Sequence, residues 1–340
     1  MIAAPLRRAA SVFVVDVARP WRRMLAVGRS LKGTPRQGLL TNLRQARRRP
    51  EVERVLDALG PLSNVKEFSM AISAWGRARQ PQRSLALLDE MRTRGVEPNV
   101  VSFNAAISAC GAAGRWERAL SLLEEMRTRG LEPDVVSFNA AISACGKGEQ
   151  WERALSLLEE MQTRGVKPDV VSFNAAISAC VKGGQWERAL SLLEEMRTRG
   201  VEPNVISFSA AISACEQCGE QETAKRLYAD AVALDFLPRM DDGKIDLHEL
   251  SASVARVAVS WSLDCLARGE TPLPDGGLKI ITGKGKHSED NVAVIKPQIE
   301  TMLASAEFAG LGAIEDARNA GRLVVRAESL RAWMAARDGI

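Results

Sequence analysis

Several marks of large protein classes are missing from this chain. In its 340 residues no uninterrupted apolar stretch approaches the ~18 that a membrane-crossing helix requires, which excludes a helical membrane span. Histidine is down to 2 residues, His248 and His287, and of the 6 cysteines only Cys215 and Cys218 form a C-x-x-C pair. With no second pair and no histidine beside it, that pair lacks the rest of a zinc ligand set and reads as a helix end. Acid is missing from the first fifty residues, where 11 Arg and 1 Lys face Asp16 alone. The whole chain carries +4, so the other 290 residues sum to −7 (+4 less +11). A partner with a phosphate backbone must therefore meet a local stripe of cations and not a generally cationic body.

The opening fifty residues alternate cationic and apolar patches, with no apolar core ahead of a small-residue cleavage site. They fit an organelle transit peptide better than a secretory signal; the other reading is a disordered basic arm that touches nucleic acid directly.

What the chain does have is repetition. VVSFNAAISAC, a variable patch, WERALSLLEEM, a TRG turn and a final Pro-Asp or Pro-Asn begin at Val100, Val135 and Val170, with a period of 35. Looser copies run over 65–99 and 205–239. A fixed period of this length marks a solenoid whose units bury their apolar faces only by stacking on one another. In the copy at 100–134, Phe103, Ala106, Ile107 and Cys110 share one helical face. Gly111 and Gly114 are expected to end that helix, and a second runs from Trp116 to Arg129 with Ala119, Leu120, Leu123 and Met126 inward. Gly130 and Pro133 stop it. Cys110, Cys145, Cys180 and Cys215 are then one recurring buried position. Residues 38–60 carry a weaker helical pattern, interrupted at Pro50, that reads as a worn cap on the array.

The 35-residue unit, with V-S-F-N opening the first helix, A-L-S-L-L-E-E-M in the second and a G-[VL]-x-P-[DN] finish, resembles the pentatricopeptide repeat. The resemblance implies an α-solenoid of helical hairpins whose first helices line a groove for single-stranded RNA, one base per repeat. It implies base reading by Ser69 with Asn99, Asn104 with Asp134, Asn139 with Asp169, and Asn174 with Asn204, and base clamping by Val101, Val136, Val171 and Ile206. Lys66 departs from the clamp pattern. A terminal carboxylate suits the N3–H of uracil and a terminal amide the N3 of cytosine; with Ser69 and Asn99 calling adenine and the N-terminal end of the array on the 5′ side, as the resemblance implies, the array spells AUUC. Ser209 with Arg239 matches no standard pair. The same Asn and Asp residues are also good helix N-caps, which is their plainer reading.

After Arg239 the period stops. Lys244–His248, Leu278–Thr282 and Leu323–Val325 read as strands, and 251–266, 292–304 and 328–335 as helices, giving a small α/β layer. Asp246 and His248 fall on one strand face, positioned to act as acid and base on a phosphodiester. The loop Thr282-Gly-Lys-Gly-Lys-His-Ser288 precedes a helix, so Thr282, Gly283, Gly285, Lys286 and His287 are candidate phosphate binders, with Lys284 neutralising developing charge. I-D-L-H, T-G-K-G-K-H-S and N-A-G-R-L-V-V together resemble the Smr (small MutS-related) domain, some members of which nick nucleic acids. Glu249 stands where that family has glycine; it either repels phosphate or holds a divalent cation such as magnesium or manganese.

The expected organisation is a basic arm or transit peptide at 1–50, a degenerate cap at 51–64, five repeats over 65–239 and an Smr-like α/β domain at 240–340. The expected function is organellar, in plastid or mitochondrion: sequence-preferring single-stranded RNA binding in RNA processing, stability or translation, with RNA endonuclease activity in the last domain. No small-molecule cofactor is implied. Four bases are few, so a protein partner supplying further specificity is expected. The alternative is a protein-binding solenoid carrying a non-catalytic nucleic-acid module.

Overall fold

The computed structural model describes residues 35–283, 293–317 and 319–338. Two short helices, α1 (Arg36–Gln45) and α2 (Arg49–Leu59), precede five helical hairpins. These are α3 (Val65–Arg77) with α4 (Pro81–Thr93), α5 (Val100–Ala112) with α6 (Trp116–Thr128), and α7 (Val135–Lys147) with α8 (Trp151–Thr163). The last two are α9 (Val170–Lys182) with α10 (Trp186–Thr198), and α11 (Val205–Gln217) with α12 (Gln221–Ala233). The molecule is thus a helical repeat solenoid, followed by a small sheet region.

Each first helix starts where the preceding repeat ends. The side chains of Asn64, Asn99, Asp134, Asp169 and Asn204 accept hydrogen bonds from the N–H of Glu67, Ser102, Ser137, Ser172 and Ser207, capping α3, α5, α7, α9 and α11. Second helices stop at a left-handed glycine such as Gly130 (φ 72°), beyond which Leu131 N–H bonds back to Met126 C=O at 2.9 Å. Phe103, Phe138, Phe173 and Phe208 are fully buried at equivalent positions, as are Met126, Met161 and Met196. In α6 the inward residues are Ala119, Leu122, Leu123 and Met126, so Leu122 takes the core place expected of Leu120. Gly111 does not end α5. It lies inside the helix, where an added Cβ would stand 3.0 Å from Ala144 Cβ, because successive first helices touch there. Gly114 (φ +70°) makes the stop.

The basic arm expected over the first fifty residues does not reach that far. α1 is folded, with Leu39 and Leu43 buried, and Pro50 opens α2 instead of breaking it. Arg36 Nε and Nη2 meet Glu67 Oε1 and Oε2 at 2.7 and 2.6 Å. Arg77 donates to Leu43 C=O at 2.8 Å and Ala46 C=O at 3.2 Å. The two ends of α1 therefore lie beside the matching ends of α3, so α1 runs parallel to it as a stub of a first helix.

Beyond the array come β1 (Lys244–Asp246), α13 (Ala252–Ala267), β2 (Leu278–Ile281), α14 (Ile295–Leu303), β3 (Ala313–Asp316), β4 (Asn319–Val325) and α15 (Ala327–Asp338). The sheet order is β1-β2-β4-β3, with β1 parallel to β2 and the other pairings antiparallel. α13 joins the two parts. It packs on α11 and α12 through Arg256 Nε to Glu216 Oε1 (2.6 Å), Lys225 Nζ to Asp264 Oδ2 (2.6 Å) and Trp261 against Tyr228 (centroids 5.4 Å apart). Buried residues form one continuous core from Leu39 to Trp333. Among the described residues no helix is long and apolar enough to cross a membrane.

Candidate nucleic-acid interface

The array leaves one row of aliphatic side chains in water. Val101, Val136, Val171 and Ile206 are 60%, 56%, 54% and 58% exposed, although their neighbours Phe103, Phe138, Phe173 and Phe208 are fully buried. Repeat geometry lines them up as a ledge along the first helices. Two shallow slots open beside this ledge, and the repeat places equivalent residues at the later steps. One is bordered by Val101 and Val136 and contains Asn104, Ser108 and Arg77. The preceding one is lined by Lys66, Ser69, Asn99, Val101, Arg44 and Arg77.

Inside the slots the expected pairs meet. Asn104 Nδ2 donates to Asp134 Oδ1 at 3.0 Å, Asn139 Nδ2 to Asp169 Oδ1 at 3.1 Å, and Asn174 Nδ2 to Asn204 Oδ1 at 3.3 Å. Ser69 and Asn99 share a slot but are linked through a third group: Ser102 Oγ lies 2.9 Å from Ser69 Oγ and donates to Asn99 Oδ1 at 3.1 Å. Arg239 is not brought to Ser209 by any hydrogen bond among the described residues. It lines a hollow at the joint with α13, beside Trp261 and Cys265.

A group that the sequence reading overlooked orders these pairs. Ser137 Oγ sits 2.6 Å from Asn104 Oδ1 and 2.9 Å from Asp134 Oδ1, and Ser207 Oγ 2.6 Å from Asn174 Oδ1. These serines are fully buried and recur at the third position of each repeat, which was the available signal. In the first repeat that position is Glu67, which pairs with Arg36 instead. The middle pair differs: Asn139 Oδ1 is buried without a partner, while the Ser172 hydroxyl goes to Asp169 Oδ1 at 2.9 Å.

The capping role and the pairing role of the terminal residue are compatible, and together they select the atom offered to a ligand. Asp134 Oδ1 takes the bonds from Ser137 N–H (2.9 Å) and Asn104 (3.0 Å), and Oδ2 receives neither of them. Asn204 likewise spends Oδ1 on Ser207 N–H (3.1 Å) and Asn174 (3.3 Å), leaving its NH₂. Burial pushes the Asp134 and Asp169 carboxyls up, but bonds from Ser137 or Ser172 N–H, from the paired Asn and from the serine hydroxyl outweigh it and hold both below the ordinary carboxylate range. An aspartate here is an acceptor only, an asparagine a donor.

Charge is segregated between the two faces. On the outer helices Arg92 meets Glu125 at 2.5 Å, Arg127 meets Glu160 at 2.8 Å, and Arg129, Arg164 and Arg199 each pair with a glutamate one turn away. Arg77, Lys147 and Lys182 share one position at the ends of α3, α7 and α9, and none of them enters an ion pair among the described residues. Burial lowers the Lys147 pKa, and Lys182 and Arg79 nearby lower it further. Burial and the neighbouring Arg47 do the same to Arg77. Uncompensated cations crowded along one edge favour a polyanion on that edge.

The second polar site lies at the end of β1, whose alternation puts Asp246 and His248 on the solvent side and Ile245 and Leu247 inside. His248 Nδ1 is 2.6 Å from Asp246 Oδ1, and its Nε2 is 3.6 Å from Glu249 Oε1. The bond to Asp246 raises the His248 pKa, burial opposes it, and the nearby Asp246 and Glu249 charges add to the rise. Gly283 (φ +75°) approaches so closely that an added Cβ would stand 3.1 Å from His248 Cβ, which brings the two motifs together. Thr282 and Gly283, expected to bind phosphate, are bonded within the chain. Both N–H groups donate to Gly321 C=O, at 2.9 and 3.2 Å, and the Thr282 hydroxyl does so at 3.2 Å, so these donors are spent. Lys284, Gly285, Lys286 and His287, the other residues expected to meet phosphate, lie outside the described residues. Among the described residues no group of three His, Cys, Asp or Glu side chains gathers.

No curated protein matches the chain. The crystal structure of the pentatricopeptide repeat protein PPR10 in complex with an 18-nt psaJ RNA element is similar over 75% of this chain and 35% of that one, at 24% identity and TM-score 0.53. PPR10 from maize is similar over 88% and 44%, at 24% identity and TM-score 0.54. The chain thus spans less than half the length of the proteins it resembles, and the likeness is one of fold. The pentatricopeptide repeat domain matches residues 86–148 and 156–217, and the PPR repeat 68–96 and 136–166. Residues 68–217 are therefore an array of pentatricopeptide repeats.

Proposed function

We propose that the array binds single-stranded RNA, seating one base between successive ledge residues and reading it with the atom that helix capping leaves free. The observation that carries this reading is the coincidence along the first helices of a row of exposed aliphatics, three hydrogen-bonded polar pairs and the uncompensated cations Arg77, Lys147 and Lys182. Asp134 and Asp169 present a carboxylate oxygen to a uracil N3–H, and Asn204 presents an NH₂ to a cytosine N3. With Ser69 and Asn99 reading adenine, the core is AUUC. The RNA bound by the PPR10 relative supports the ligand class. Asp134→Asn tests the reading: preference should move from AUUC to ACUC, by ~1–3 kcal/mol at that base. An unchanged preference would refute it.

The module after Arg239 is read as Smr-like, with RNA processing in a plastid or mitochondrion as the setting. Asp246 holds the His248 imidazole in place beside Gly283, where its protonated form would give a proton to the leaving oxygen of a phosphodiester as a water or the neighbouring ribose 2′-hydroxyl attacks phosphorus and loses its own proton to solvent. Incubated with AUUC-containing RNA, the protein should cleave and its Asp246→Ala variant should not. Equal cleavage by both would remove the assignment.

A further inference from the structure

The four coded slots account for the array but not for the end at which it begins. Lys66 occupies the ledge position where the later repeats carry valine or isoleucine, and it lines the first slot together with Arg44 and Arg77. No acid lines that slot. Immediately beyond it the α1–α2 turn displays Arg44, Arg47 and Arg48, all exposed. None of these three, nor Lys66, forms an ion pair among the described residues, whereas the arginines of the outer helices are matched to glutamates. The acids of the turn are already used. Glu51 Oε2 receives the backbone N–H groups of Arg47 and Arg48 at 3.0 and 3.3 Å, and Glu53 holds Arg49 at 2.8 Å.

The turn is also fixed in place. Arg77 reaches across from α3 to the carbonyls of Leu43 and Ala46, which seats the end of α1 on the same edge that carries Lys147 and Lys182. A stub helix placed like a first helix would extend the groove by one step, but it brings no reading pair. The residue before α3 is Asn64, which caps α3 through Glu67 N–H at 3.1 Å and turns its amide to Ser63.

We infer that Arg44, Arg47, Arg48 and Lys66 form a phosphate-binding shelf that holds the RNA immediately 5′ of the coded tetranucleotide, without regard to its sequence. The inference rests on the RNA-binding reading above and on the array running from the 5′ side at its N-terminal end. It also says how four readable bases are supplemented: by backbone charge, which adds affinity and no selectivity.

The test uses the full chain and three RNAs: the AUUC core alone, the core with six uncoded nucleotides added 5′, and the core with six added 3′. Affinity is measured across a salt series for the natural protein and for an Arg44→Gln, Arg47→Gln, Arg48→Gln variant. For single strands each neutralised phosphate steepens log K against log salt by ~0.7. The 5′ extension should therefore steepen the slope by about 2 if three phosphates are held. The variant should lose that gain while keeping its response to the 3′ extension, its uracil-over-cytosine preference at the second base and its melting temperature. A 5′ gain that survives in the variant, or a 3′ response lost to the same degree, overturns the shelf. Absence of base preference in the natural protein would instead strike the reading code, since the 5′ gain is measured as charge alone.

Discussion

Ser137 has one hydroxyl hydrogen and two oxygens within its reach, Asn104 Oδ1 at 2.6 Å and Asp134 Oδ1 at 2.9 Å. The closer one belongs to the reading amide. With its oxygen held by Ser137 and its nitrogen by Asp134, the Asn104 side chain cannot flip, and the slot presents one hydrogen-bond pattern instead of two. Ser137→Ala should lower the preference for uracil at the second base about twofold to tenfold, the effect of a bond worth ~0.5–1.5 kcal/mol. Ser172→Ala should do less to the third base, because Asn139 Oδ1 has no such tie. Competition binding against single-base variants of AUUC reads both effects. If the two alanines act alike, or change only thermal stability, the serines are caps and nothing more. The Asn and Asp residues themselves were legible in the sequence because they recur every 35 residues. Their bonds were not, since the spacing tells which residues correspond but not which oxygen meets which hydrogen.

At the level of the elements, the hairpins could be read from periodicity because every unit buries the same face. Where a unit departs from the repeat, the sequence misleads. The helical cap expected over 38–60 is there, but the arginine-rich composition also assigned α1, whose buried apolar face is only Leu39 and Leu43, to an arm reaching residue 50. β3 was missed because Ala313–Asp316 is short and largely exposed, so it carries no alternation to detect. The attachment of α1 has its own chemistry. The bidentate bond from Arg36 lowers the Glu67 carboxyl to about 2, with burial opposing and Ser63 assisting. A depressed carboxyl stabilises the folded form at every pH above its unfolded value of ~4.3, and that contribution fades as pH falls from there toward about 2. In hydrogen exchange the α1 amides should lose protection over this range before those of α5 and α7. Glu67→Gln should show the weaker protection already at neutral pH. Loss of protection in all helices together would contradict a separately anchored cap.

For the molecule as a whole, the array and the sheet region share one core through α13, which packs on α11 and α12 as the next first helix would. On the proposed reading, bound RNA leaves the last slot at a fixed place relative to Asp246 and His248, with selection assigned to one surface and chemistry to the other. That division depends on selection being real. The most direct measurement is equilibrium binding of the full chain to two unstructured oligonucleotides that differ only in the core, AUUC in one and AGGC in the other, at one salt concentration. With two uracil slots confronted by guanine at ~1–3 kcal/mol each, AUUC should bind at least about tenfold more tightly. Equal affinities would mean that the paired asparagines and aspartates cap helices and read nothing.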